Sequence, residues 1–141
     1  MTAVRRGVAA ILRYLTPLYI LLIFIQVFLA GEGIFGMKEG QSIDDAKSLD
    51  AHRGFGFFLT QLGALVFLIL ALLWWPRNKR VLGLYILLAV LLFVQAILPS
   101  GGRWVAAFHP VNALVLLGLL GYLSSWWRRG GEVPEPAAAA P

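Results

Sequence analysis

Four stretches of the chain, at roughly 8–30, 52–75, 81–98 and 108–127, are almost wholly apolar, and short polar or basic segments separate them. Each is close to the about 20 residues that a helix needs to cross the hydrocarbon core of a bilayer. Lipid offers no partners to open backbone donors and acceptors, so the pattern predicts helices rather than strands. Trp74, Trp75, Trp126 and Trp127 fall where the second and fourth stretches end, the place of interfacial aromatic belts.

Connections fix the expected arrangement. Residues 76–80 leave no room for anything but a tight turn, so the second and third spans are expected to be antiparallel neighbours. Residues 99–103 make a similarly short link between the third and fourth. The simplest solution is an all-α, up-down-up-down four-helix transmembrane bundle over residues 1–127. Residues 31–51 read as a polar loop, with 42–50 as a candidate short helix over the mouth of the bundle. Three prolines and a run of alanines mark 128–141 as a disordered tail. No internal repeat stands out, although the second and fourth spans both open with a histidine.

Composition supports a membrane setting: 60% of the 141 residues are hydrophobic and only 13% are charged, more apolar surface than a soluble domain of this size can hide. The net charge of +5 does not point to nucleic acid, because the basic residues sit in short clusters beside the apolar runs. Arg5, Arg6, Arg13, Arg77, Lys79, Arg80, Arg128 and Arg129 fall on one side of the expected topology. Lys38, Lys47, Arg53 and Arg103 fall on the other, with five acids. The positive-inside rule therefore predicts a multi-pass cell-membrane protein with both termini cytoplasmic. The first span is read as a retained helix, since bulky Phe28 stands where signal cleavage wants a small side chain. There is no cysteine, which removes disulfides, thiolate metal sites and cysteine nucleophiles.

Candidate chemistry centres on the two histidines, His52 and His109, which open the second and fourth spans. Both spans run in the same direction, so both imidazoles are expected at one depth near the outer face, on helices that face each other diagonally. With neighbouring axes about 8–10 Å apart, the diagonal is roughly 11–14 Å. Side chains reaching inward leave a gap of order 4 Å, the span of two metal–nitrogen bonds near 2 Å. A heme with both histidines as axial ligands satisfies that spacing. Gly56 and Gly63 share the face of His52, which permits either close helix packing or an approaching ring. Gln26, Gln95 and Asn112 bring a polar group to the same outer level, either as functional groups or bonded to one another across helices, the second being preferred for the deeper Gln61. Arg53 and Arg103 suit heme propionates or simply mark the interface.

Three segments carry a family resemblance: Gln26-Val27-Phe28-Leu29-Ala30-Gly31, Asp50-Ala51-His52-Arg53-Gly54-Phe55-Gly56 and Phe108-His109-Pro110-Val111-Asn112-Ala113-Leu114. They resemble a family of small, uncharacterised bacterial four-span proteins over roughly residues 10–127. More distantly, the His-Arg and His-x-x-Asn-Ala openings are similar to one four-helix half of heme A synthase. That likeness implies His52 and His109 as axial ligands. It departs at Leu49, where the catalytic half of the synthase carries a glutamate, and Asp50 is out of phase with that position. The departure implies a heme-holding or electron-carrying half rather than an oxidising one.

The expectation is therefore a b-type heme protein that carries electrons or holds heme, more a carrier or subunit than a catalyst. A quinone or other membrane redox partner near Gln26 and Gln95 is compatible with it, and oligomeric state stays open. Two alternatives stand beside it: a cofactor-free accessory subunit of a larger membrane complex, and copper handling during oxidase assembly. Two imidazoles bind copper, but the lack of cysteine and the presence of only two methionines weigh against a copper carrier. No Ser/His/Asp set, phosphate loop or carboxylate pair lies in the spans, which argues against a hydrolase.

Overall fold

The computed structural model describes residues 2–131, and among them the regular elements are all helical. Four helices are long and apolar enough to cross a membrane. Helix α1 (Ala3–Phe35) leads through a loop and the 3₁₀ turn Lys47–Leu49 into α2 (Asp50–Trp74). Helix α3 (Lys79–Ile97) follows, then the 3₁₀ turn Leu98–Ser100, a short α4 (Gly102–Ala106) and α5 (Phe108–Arg128). Helix α1 packs against α2 and α5, and α3 packs against the same two, which makes a closed four-helix bundle.

Two boundaries differ from expectation. At 33 residues, α1 overshoots the predicted first span at both ends; a helix of that length runs about 50 Å, well beyond a core about 30 Å thick. The candidate short helix at 42–50 shrinks to the single 3₁₀ turn that runs straight into α2. The reason is local. Ser48 Oγ donates to the Gly33 carbonyl at 2.7 Å, and a Cβ at Gly33 would stand 2.6 Å from Leu49, so this segment is pressed onto α1 instead of winding on itself. The predicted tail lies outside the described residues except for its first four.

Helix ends are set by recognisable chemistry. Thr2 and Asn78 cap α1 and α3 by accepting from the backbone N–H groups of Arg5 and Arg80. Helix α2 stops at Trp75, whose φ of 43° is left-handed and costly for a bulky side chain. Pro76 bars continuation. Arg5 clamps the turn from α1, donating to the carbonyls of Trp74 (2.7 Å) and Trp75.

The interior changes character along the bundle. At the end carrying Arg5, the core is aromatic: Phe67, Trp74 and Tyr85 are fully buried, and Trp127 nearly so. Of the four tryptophans placed in the expected belt, only Trp75 is exposed, and Trp126 is half-buried against Trp74 and Trp127. Trp75 faces out while Trp74 has no exposure, and Trp127 goes inward, where its Nε1–H donates to Tyr85 at 2.7 Å. Thr16 gives its own proton to the Leu12 carbonyl, so Tyr85 donates to Thr16 (2.8 Å) while accepting from Trp127. Phe24, Phe28, Phe57, Phe58 and Leu114 point outward, as a lipid solvent permits.

Candidate histidine site

At the opposite end of the bundle the interior is polar. His52 stands in the first turn of α2, and His109 is the second residue of α5. Their rings approach to 6.3 Å between centres, with planes at 75°. The two helices make no close backbone contact with each other, so the imidazoles meet across the bundle diagonal.

Each histidine is held by a glutamine from the preceding long helix. His52 Nδ1 lies 3.1 Å from the Gln26 carbonyl, and His109 Nδ1 lies 3.1 Å from the Gln95 carbonyl. A carbonyl only accepts, so both Nδ1 atoms carry the proton, and both neutral rings keep their lone pair on Nε2. The glutamine amides close the loop: Gln26 Nε2 donates to the His52 carbonyl at 2.8 Å, and Gln95 Nε2 to the His109 carbonyl at 3.1 Å. With Nδ1 protonated, the 2.9 Å approach of Gln26 Nε2 to it sets donor against donor, and the amide bond to the carbonyl fixes the side chain. Gln95 Nε2 also reaches the His109 Nε2 lone pair at 3.2 Å.

The two clamps are alike but not equivalent. In the second, Asn112 donates from Nδ2 to Gln95 Oε1 (2.7 Å) and to the Leu91 carbonyl (2.9 Å), which completes the amide's bonding. In the first, Gln26 Oε1 is buried and has no partner among the described residues. The residue three after His52, the place Asn112 holds after His109, is Phe55, which has nothing to donate. Gln26 thus keeps a buried acceptor unanswered among the described residues.

The remaining candidates fall in different places. Gln26, Gln95 and Asn112 bond across helices at the histidine level, as the sequence allowed. Gly56 and Gly63 turn their bare faces to α1: a Cβ at Gly56 would stand 2.3 Å from Gln26 Nε2, and one at Gly63 2.2 Å from the Tyr19 hydroxyl. Of the two readings left open for them, close helix packing is the one seen, and neither faces an open ring slot. Arg53 is turned to the loop, where it donates to the carbonyls of Ala46 (3.1 Å) and Ile43 and pairs with Asp50 at 3.2 Å. Arg103 lies out at the surface, 5.9 Å from the Trp104 ring. Gln61, for which a cross-helix bond was preferred, makes none among the described residues; it lines an open groove between α2 and α3 with Phe57 and Phe93. Tyr19, unremarked in the sequence, ties α1 to α2 by donating to the Leu59 carbonyl at 3.0 Å.

The donor set favours a heme over a bare ion. Among the described residues no group of three or more His, Cys, Asp or Glu side chains comes together. A bare zinc or copper ion wants more than two protein ligands, whereas a heme brings four nitrogens of its own and asks for two. Ring centres about 6 Å apart suit one iron, given bonds near 2 Å and roughly 1 Å from each nitrogen to its ring centre. The protonated Nδ1 bonded to a carbonyl is the usual support of a ligating histidine. The flanks are closed by the Gln26 and Gln95 side chains, so a macrocycle enters only if those amides swing aside.

No family model, no curated protein and no solved structure matches the chain.

Proposed function

We propose that this is a multi-pass protein of the cell membrane that binds a b-type heme between His52 and His109. The carrying observation is the 6.3 Å approach of two imidazoles whose Nδ1 protons are both committed to carbonyls. Helices alternating in direction support the topology: Arg5 near the start of α1 meets the end of α2, and Tyr85 in early α3 meets Trp127 at the end of α5. The excess of basic residues at that end supports cytoplasmic termini and, with them, histidines near the outer face.

Heme bound there supplies one-electron chemistry. The chain's own residues do the positioning. Gln26 and Gln95 fix each ring's tautomer and rotation, and Asn112 fixes Gln95. Loss of the Gln95 amide bond to His109 Nε2 frees that lone pair for iron. The function that follows is electron transfer or heme holding near the outer face, with a quinone or another membrane redox protein as exchange partner.

A second reading has an observation of its own. Both imidazoles are already hydrogen-bonded by their glutamines, which is what a purely structural clamp requires, and a cofactor-free accessory subunit would be built this way. Heme titration of the purified protein separates the two. The heme reading expects a saturable Soret band near one equivalent per chain, lost in both His52→Ala and His109→Ala. A flat titration, or one unchanged by both substitutions, rejects it in favour of the accessory subunit.

A further inference from the structure

At the end of the bundle far from the histidines, a cleft of about 250 Å³ opens between α1 and α5. Its walls are Arg13, Tyr14, Pro17, Ser124, Trp127 and Arg128. Neither Arg13 nor Arg128 makes a hydrogen bond or ion pair among the described residues, and none of the walls is acidic. The side chains of Arg13 and Arg128, neither paired with an acid, therefore border one concave and mostly apolar site.

A second observation is independent of the charges. Ser124 is only 3% exposed, and its hydroxyl is buried without any partner. A helical serine ordinarily returns its proton to a carbonyl of the preceding turn; this one does not, and it lines the cleft. Pro17, lacking an N–H, also leaves the Arg13 carbonyl at the same notch without its helical donor. Two arginine side chains and the Tyr14 ring thus border a mostly apolar space of roughly eight waters, at about 30 Å³ each, with the Ser124 hydroxyl buried in its wall.

We infer that this cleft binds the phosphate-bearing headgroup of an anionic phospholipid. Guanidinium forks suit phosphate oxygens, and basic pockets between membrane helices are where anionic headgroups lodge. The cleft holds a headgroup and leaves the acyl chains outside, along the apolar flanks of α1 and α5 that the bundle exposes. Arg13 and Arg128 act as ligands here, beyond the orienting role of basic residues at span ends. The inference does not depend on heme.

The test is native mass spectrometry of the full chain released from detergent with phosphatidylglycerol, with phosphatidylcholine, or with inorganic phosphate alone. Wild type is expected to retain phosphatidylglycerol in preference to phosphatidylcholine. Arg13→Gln and Arg128→Gln should each weaken retention about fivefold, as one basic residue at a charged surface does. Ser124→Ala should narrow the preference, while Arg129→Gln, whose guanidinium is engaged with Ser125, should match wild type. Equal retention of the two lipids by wild type would overturn the site without reference to any variant. So would an Arg129→Gln loss as large as that of Arg13→Gln, or free phosphate displacing the lipid at matched concentration.

Discussion

Replacing Gly63 by alanine tests the packing of α1 on α2 at its tightest point. A Cβ there would stand 2.2 Å from the Tyr19 hydroxyl, 2.8 Å from Cζ and 2.9 Å from Cε1. The ring cannot swing freely: Tyr19 is 7% exposed, its hydroxyl is bonded to the Leu59 carbonyl, and Phe67 packs edge-on at 4.8 Å between centres. Overfilling such a site costs about 1–3 kcal/mol, and losing the hydroxyl bond adds about 1 kcal/mol. Replacing a mid-helix glycine returns about 1 kcal/mol in helix propensity. The net expectation is a destabilisation of about 1–3 kcal/mol by these terms. Gly118→Ala is the matched control, because nothing lies within 4 Å of its Cβ position. It should be neutral or mildly stabilising. Reversible unfolding in mixed detergent, followed by helical circular dichroism, reads both. If Gly63→Ala proves as stable as Gly118→Ala, the close approach of Tyr19 is wrong.

Other outcomes follow from the polar networks. Tyr85→Phe strands the buried Trp127 Nε1–H and removes the donor to Thr16, at a cost of about 1–2 kcal/mol in the same unfolding assay. Asn112→Leu should leave Gln95 Oε1 unanswered and lower stability by about 1 kcal/mol in the same assay; unchanged stability would contradict the Asn112–Gln95 bond. Arg5→Gln releases the left-handed turn at Trp75, so deuterium uptake should rise across 73–78 and stay unchanged around His52. Uptake that rises equally at both ends would contradict a local clamp.

Much of the fold was legible because lipid imposes one coarse rule: length of apolar run equals span. The rule carries no information about rotation around a helix axis. That is why Trp74 and Trp75 read alike in the sequence, yet one closes the core and the other faces out. The polar level at the histidine end was legible because polar residues in an apolar span are costly, which brought Gln26, Gln95 and Asn112 forward. Their partners were not, since a bond between residues 26 apart depends on the relative heights of two helices. A signal was available all the same: a glutamine late in one span, followed by a histidine opening the next, occurs twice. Gly56 and Gly63 were ambiguous because a bare helix face admits a ring or a neighbour equally, and only the neighbour's side chains decide. Arg53 was drawn to the loop by the Ile43 and Ala46 carbonyls, which also accept backbone N–H groups of the loop's turns, a contest that spacing alone does not reveal.

The axial ligand set is the most direct measure of the central claim. Electron paramagnetic resonance of the ferric, heme-loaded protein should show a six-coordinate low-spin iron, converted to high-spin in His52→Ala and again in His109→Ala. A high-spin wild-type signal, or a low-spin signal that survives either substitution, would contradict a heme held by these two histidines.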